Sequence, residues 1–281
     1  MTPQTQRVST RRTARRLRVG VVNLMPRAET YEPLIARALG PEVELAWIRL
    51  STHGYSSSDP ARIAARYERY DRALARGPLD GLLLTGAPVE TLPFSEVRYW
   101  DELSEVLSDA RRRVRSTLGI CWGAMALAKT LGVEKTTLPR KVFGSFEHEL
   151  TPAGRAMLPG LDGTYRCAQS RFATLREVEL DLAERDGRLT RLALATETGT
   201  TLLATPDRSV VMHLGHPEYE PARVAYEWSR DRVAARSDVD APRGFDADVA
   251  TPTLPWERDS RAFFRAWRAS LATASARAEA P

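Results

Sequence analysis

Cysteine is almost missing from this chain: Cys121 and Cys167 are the only two in 281 residues. That rules out a disulfide framework, which a chain of this length does not need, and fits a reduced, cytoplasmic compartment. Histidine is also scarce, at four residues: His53, His148, His213 and His216. None of them sits at a spacing that suggests a zinc site, and no metal is expected. No apolar run approaches the roughly 20 residues of a membrane span. The first residues have no apolar core of the secretory-signal type. No Walker loop or Gly-rich dinucleotide fingerprint occurs, so a permanently bound nucleotide cofactor is not expected.

What remains is an ordinary globular composition, 43% hydrophobic and 27% charged, long enough to bury a real core. The formal net charge is +5, and much of the excess lies in residues 7–18, R-V-S-T-R-R-T-A-R-R-L-R. No aromatics interleave this run. It reads as a solvated basic arm over residues 1–17 rather than a nucleic-acid surface. Residues 18–272 read as one catalytic domain, and 273–281 as a frayed tail.

The first half alternates buried strands and helices. Strands are expected over 18–24, 42–50, 79–85 and 117–120, and helices over 29–39, 60–76, 94–113 and 122–131. This β-α repeat predicts a doubly wound, mostly parallel sheet with flanking helices. Ligands bind such sheets beyond the C-terminal strand ends, so the loops after strands one, three and four should converge. From Pro139 the pattern changes to strands separated by turns: 141–149, 164–168, 191–197, 200–205 and 209–214. These predict an antiparallel extension. A helix over 220–236, a loop and a terminal helix over 259–272 complete the chain.

Cys121 falls where the fourth strand turns sharply into its helix, flanked by Gly119 and Gly123. This is the context of a nucleophile elbow, and the helix N-terminus favours a thiolate there. A buried structural cysteine is the competing reading. A thiolate nucleophile needs a base, and the base needs an orienter. His216 follows a strand and Gly215, and Glu218 lies two residues on, where an extended backbone puts both on one face. Cys121, His216 and Glu218 thus suggest nucleophile, base and orienter. A turn histidine and a helix-entry carboxylate are the alternatives. His213 reads as a core residue, His53 as a solvated loop residue.

The strings N-L-M-P (23–26), T-G-A-P (85–88), Y-W (99–100), C-W (121–122), G-S-F-E-H (144–148), S-R (170–171) and G-H-P-E-Y (215–219) occur in this order. In that combination the chain resembles homoserine O-acyltransferases of the MetA type. The resemblance implies a class I glutamine amidotransferase-like, flavodoxin-like fold and a homodimer. It implies acyl transfer from acyl-CoA through a Cys121 thioester. The backbone N–H groups of Trp122 and of the 86–89 loop, with Val89 the expected residue, would form the oxyanion hole. Lys141, Ser170 and Arg230 fall on substrate-site positions of the family, Arg230 facing the acceptor carboxylate. In relatives the residue after T-G-A-P-x tends to be Glu in acetyl-CoA users and Gly in succinyl-CoA users. Here it is Glu90, and a carboxylate there would repel succinyl's own, so acetyl-CoA is the expected cosubstrate. Two positions depart from the family. N-L-M-P is followed by Arg27-Ala28-Glu29-Thr30 instead of an active-site lysine, and Gln169 stands where relatives commonly carry His. L-Homoserine is the expected acceptor, with L-serine or another hydroxy amino acid as alternative. A glutamine amidotransferase-like hydrolase using the same three residues is the rival class.

Overall fold

The computed structural model describes residues 15–273; of the arm expected over 1–17, residues 1–14 lie outside them and Leu17 already belongs to β1, and of the tail expected over 273–281, residues 274–281 lie outside them. The first half is the repeat expected: β1 (Leu17–Val22), α1 (Ala28–Leu39), β2 (Val43–Ile48), α2 (Pro60–Arg66), α3 (Tyr70–Ala75), β3 (Gly81–Leu84), α4 (Trp100–Arg113), β4 (Ser116–Ile120) and α5 (Trp122–Thr130). Then come β5 (Lys135–Leu150), α6 (Pro152–Met157), β6 (Thr164–Leu175), α7 (Glu177–Arg185), β7 (Thr190–Ala195), β8 (Gly199–Ala204), β9 (Val210–His213), α8 (Pro221–Val233) and α9 (Glu257–Thr273).

Among the described residues, the nine strands form one sheet in the order β2-β1-β3-β4-β9-β8-β7-β5-β6. The four ladders from β2 to β9 are parallel and the four from β9 to β6 antiparallel. The antiparallel extension is thus a continuation of the same sheet, joined to it through β9. The period-two alternation of the strands feeds two separate cores. Val19, Val21, Leu83, Leu118 and Ile120 face one side with Tyr31, Phe263 and Trp267; Val22, Leu82 and Leu84 face the other with Leu103, Leu107 and Met125. An α/β sheet sandwiched by helices requires this double burial.

Several elements differ from their expected bounds. The single helix over 60–76 is broken at Tyr67–Arg69, because Glu68 pairs with the end of β2: its N–H donates to Trp47 O and its carbonyl accepts from Arg49 N. The Tyr67 hydroxyl is meanwhile drawn inward, donating to Glu32 and accepting from Asn23. The helix expected from residue 94 begins only at Trp100, preceded by one 3-10 turn at Phe94–Glu96. α6 and α7 were not expected at all, although Thr151 caps α6 by accepting from Gly154 N and Pro152 opens it.

Candidate active site

The turn from β4 into α5 fixes the candidate nucleophile. Cys121 holds φ 52° and ψ −115°, a region that non-glycine residues rarely occupy. It is held there by a hydrogen bond from its N–H to His213 O at 2.8 Å, while its own carbonyl accepts from Ala124 N and Met125 N. The two flanking glycines are required by packing. A Cβ on Gly119 would lie 2.4 Å from Gly123 O, and one on Gly123 would lie 2.5 Å from Leu84 O. The helix can therefore start this close to β3 and β4 only without side chains at both positions. Trp122 is the first residue of α5, so its N–H has no acceptor within the helix.

The candidate base arrives from the far end of β9. His213, as expected, is a core residue: fully buried, its Nε2 hydrogen-bonds Tyr165 OH at 2.8 Å, and burial lowers its pKa to about 3. Two residues on, the chain turns at Gly215, and His216 is anchored by its N–H to Ala168 O of β6 at 2.7 Å. The His216 Nδ1 pairs with Glu218 Oε1 at 2.7 Å, and the ring stacks on Tyr219 with centroids 4.0 Å apart. That leaves Nε2 for the Cys121 thiol, with which the ring hydrogen-bonds. Burial opposes charge on this imidazole. Negative charge at Cys121 and at Glu218, and the hydrogen bonds to both, outweigh it and raise the pKa well above the ordinary value. Glu218 is itself buried, and Tyr31 of α1 donates its hydroxyl to the same Oε1. The Tyr31 phenol is held protonated, first by burial and then by the Glu218 charge.

The third wall is β6 with α8. Ser170 O lies 3.9 Å from Cys121 Sγ. Ser170 Oγ donates at 2.5 Å to Glu227, a residue the sequence reading missed. Glu227 also accepts from Tyr219 OH at 2.8 Å, Arg223 Nε at 3.2 Å and Lys141 Nζ at 3.4 Å. Burial would raise its pKa, but Lys141, Arg223 and His216 pull it down to about 2. Lys141, in the bulge of β5, also reaches Asp231 at 2.7 Å, and Asp231 in turn pairs with half-exposed Arg230. Ser170, Lys141 and Arg230 are thus joined through two acids, Glu227 and Asp231. The available signal was the spacing of four in Arg223, Glu227 and Asp231, which puts all three on one face of α8.

The 86–90 loop after β3 closes the site. A Cβ on Gly86 would lie 3.4 Å from Cys121 Cβ and 3.5 Å from His216 Cε1. Gly86 is therefore the residue of this loop that lies against Cys121 and His216, and Val89 lies three residues beyond it, at the start of a turn closed by Leu92 N to Val89 O at 3.1 Å. Glu90 is partly buried in that turn. Its carbonyl accepts from Lys135 Nζ at 2.8 Å, and its side chain is in electrostatic contact with Arg236 of the segment after α8. Arg27, the first residue after N-L-M-P, is in the left-handed region at φ 51° and lies over the Tyr226 ring, 5.4 Å from its centroid. Gln169 bonds His148, Thr201 and Arg171 in the core beneath the His216 turn. His53 corrects the sequence reading: it is half-buried against Tyr55 and Tyr99, with centroids 4.3 and 4.8 Å away, and burial lowers its pKa to about 4. Among the described residues, no group of three His, Cys, Asp or Glu side chains could hold a metal ion, and no helix is long and apolar enough to cross a membrane.

A cavity of about 510 Å³ lies behind the 217–222 segment, between α1 and α9. It touches Glu218 from the rear, and neither Cys121 nor His216 lines it. Cys121, His216 and Gly86 instead come together at the C-terminal ends of β4, β9 and β3. A thiol, an imidazole oriented by a carboxylate, and helix-terminal N–H donors together can form and break an acyl-thioester.

Residues 1–274 match the family described as homoserine O-succinyltransferase. The chain is 34% identical over 260 residues to a homoserine O-acetyltransferase of Brevibacillus brevis, spanning 90% of this chain and 83% of that one. It is 36% identical over 264 residues to a homoserine O-acetyltransferase of a Synechococcus strain, spanning 92% and 87%. Among solved structures it superposes on a glutamine amidotransferase from Thermotoga maritima with a TM-score of 0.61 at 14% identity, over 92% of this chain and 100% of that one. A glutamine amido transferase from Methylobacillus flagellatus gives 0.57 at 16%, over 90% and 94%. At these identities the likeness concerns the fold.

Proposed function

The chain belongs to the homoserine O-acyltransferase family, and we propose that it transfers an acetyl group from acetyl-CoA to the side-chain hydroxyl of L-homoserine by a ping-pong mechanism. One observation carries the chemistry: the Cys121 sulfur meets an imidazole whose other nitrogen is tied to a buried carboxylate. In the first half-reaction His216 Nε2 takes the thiol proton and the sulfur attacks the thioester carbonyl. The oxyanion of the tetrahedral intermediate is met by the Trp122 N–H and by an N–H of the 86–89 loop. The C–S bond to CoA then breaks and the imidazolium returns its proton to the departing thiolate. In the second half-reaction His216 takes the acceptor hydroxyl's proton. The alkoxide attacks the Cys121 thioester, and the sulfur leaves and recovers the proton. Glu218 keeps Nδ1 protonated throughout, so that Nε2 is always the nitrogen that exchanges protons.

The acceptor's carboxylate is assigned to Arg230, whose guanidinium is half-exposed beside Asp231. Ser170 and Lys141 shape the acceptor site through their bonds to Glu227. The acetyl preference rests on Glu90, a carboxylate in the loop whose Gly86 lies against Cys121 and His216. We also propose a homodimer acting in the cytoplasm, from the family resemblance and the pair of unbridged cysteines. Intact-mass analysis after mixing with acetyl-CoA tests the reading. An acetyl adduct on Cys121 that disappears on adding L-homoserine, with release of free CoA, is the expected result. No adduct and no CoA release would reject it, and ammonia released from glutamine would favour a hydrolase instead.

A further inference from the structure

A second cavity, of about 670 Å³, lies next to the 86–90 loop, between residues 91–101, the end of α5 and the start of β5. Its walls carry three cations, Lys129, Lys135 and Arg176, against two acids, Asp101 and Glu134. Two of the cations already have carboxylate partners: Lys129 pairs with Glu134, and Arg176 with Glu179 at 3.1 Å. Half-buried Lys135 is held differently. Its Nζ donates to Glu90 O at 2.8 Å and to Leu92 O at 2.5 Å, and it lies 5.1 Å from the centre of the Phe94 ring. Glu134 and Glu90 act on it through space, but among the described residues no carboxylate oxygen comes within ion-pair distance of this ammonium. A cation in a salt bridge must give up its partner before it can take a ligand, whereas one held by neutral carbonyls keeps its attraction for an anion.

Two routes tie this cavity to the candidate nucleophile. The Phe94 ring packs on Trp100 in the cavity wall, with centroids 4.5 Å apart, and on Trp122, the residue after Cys121, with centroids 5.9 Å apart. Gly86 lies against Cys121, and the chain from Gly86 to Glu90, whose carbonyl Lys135 holds, spans at most ~14 Å when fully extended. The arm of coenzyme A between its sulfur and its diphosphate has about thirteen bonds and reaches roughly 15 Å at the per-bond length of an extended chain. A donor whose thioester carbonyl sits at Cys121 can therefore set its diphosphate beside Lys135. The cavity behind Glu218 offers no such counter-charge: its two cations, Arg37 and Arg261, are paired with Glu220 and Glu257, and much of its wall is Trp256, Phe264 and prolines.

We propose that this cavity binds the diphosphate of the acyl-CoA donor, with the Lys135 ammonium as its counter-charge; the inference rests on the acyl-CoA reading above. Because Lys135 also donates to Glu90 O and Leu92 O, the group that meets the phosphates fixes the turn that carries Glu90. The donor is then recognised at both of its ends, acyl group and phosphates, through one loop.

The test compares acetyl-CoA with S-acetyl-pantetheine, which has the same thioester and arm but no phosphate, and with acetyl-dephospho-CoA, which keeps the diphosphate and lacks the 3′-phosphate. The readout is the ratio of kcat/KM for each nucleotide donor to that for S-acetyl-pantetheine. Lys135→Met, and Thr136→Glu on an exposed residue of the cavity wall, are expected to lower both ratios about tenfold, the size of one charge-assisted contact. An equal loss for all three donors in Lys135→Met means that the lysine only holds the loop, and overturns the proposal. A drop for acetyl-CoA with none for acetyl-dephospho-CoA also overturns it, since the cavity then takes the 3′-phosphate. If Lys135→Met fails to fold, Thr136→Glu carries the test, because it removes no buried side chain, and a folded Thr136→Glu with unmoved ratios refutes the site. Calorimetric binding of CoA itself separates this inference from the acyltransferase reading. A wild-type chain that binds CoA, about tenfold more weakly as Thr136→Glu, yet is acetylated by no donor keeps the phosphate site and loses the transferase; no binding removes both.

Discussion

Glu218→Gln is a near-isosteric change that removes one charge from the middle of the proposed relay. Oε1 of Glu218 accepts from His216 Nδ1 at 2.7 Å and from Tyr31, whereas Oε2 is buried with no partner among the described residues. The amide has two ways to sit. With its oxygen on Nδ1, a charge-assisted bond becomes a neutral one, a loss of about 1–1.5 kcal/mol, and the NH2 is buried without an acceptor at a further ~1–3 kcal/mol. With the amide turned, its N–H points at Nδ1 and the imidazole must carry its proton on Nε2, the nitrogen required to receive the thiol proton. That wrong tautomer is worth about 10⁴ in kcat in a comparable triad. The unpaired NH2 pushes the side chain toward the second arrangement, so kcat should fall by roughly 10³–10⁴. Loss of the carboxylate also lowers the His216 pKa from its raised position, so alkylation of Cys121 should require higher pH. The assays are CoA release under saturating substrates and iodoacetamide rates from pH 5 to 9. A folded variant within tenfold of wild type at every pH would mean that the carboxylate does not orient the ring.

The buried acid network predicts a pH effect of definite sign. Glu227 is lowered to about 2 from the ordinary 4.5, so its contribution to stability is present above pH 4.5 and is lost as pH falls toward 2. Denaturation midpoints should decline over that window, and Glu227→Gln should flatten the decline while lowering stability at neutral pH by a few kcal/mol, on the order expected for breaking a buried pair. Gly123→Ala should lower stability by about 3 kcal/mol or more in a thermal melt and abolish adduct formation, because the new Cβ meets main-chain oxygens at 2.5 and 2.7 Å that cannot swing aside. Glu90→Gly should shift the ratio of succinyl-CoA to acetyl-CoA turnover upward; an unchanged ratio would place donor choice elsewhere.

Much of this architecture was legible because its signals are local. The alternation of apolar runs with helix-period segments marks β1 to α5, and a cysteine between two glycines marks the elbow. His216 and Glu218 were legible because two residues of extended chain suffice to bring them together. What escaped the sequence depends on pairing at a distance. Nothing in residues 60–76 announces that Glu68 will bridge to the end of β2 and split the helix. β5 and β6 run on past their expected ends because each supplies the other's hydrogen bonds from Lys135–Leu175 to Glu149–Thr164, whatever the polarity of the side chains. Glu227 looked like one more surface acid of α8. Only the docking of Lys141 from a bulge in β5 makes it a buried hub.

The bond from His216 N–H to Ala168 O has a consequence for the order in which the protein acquires its reactivity. During synthesis the elbow emerges from the ribosome nearly a hundred residues before the imidazole that serves it, and β6 must already be in place to receive that imidazole. Until the last strands join the sheet, the cysteine lacks the imidazole proposed to serve it. The proposed chemistry therefore needs the C-terminal half of the chain docked on the first.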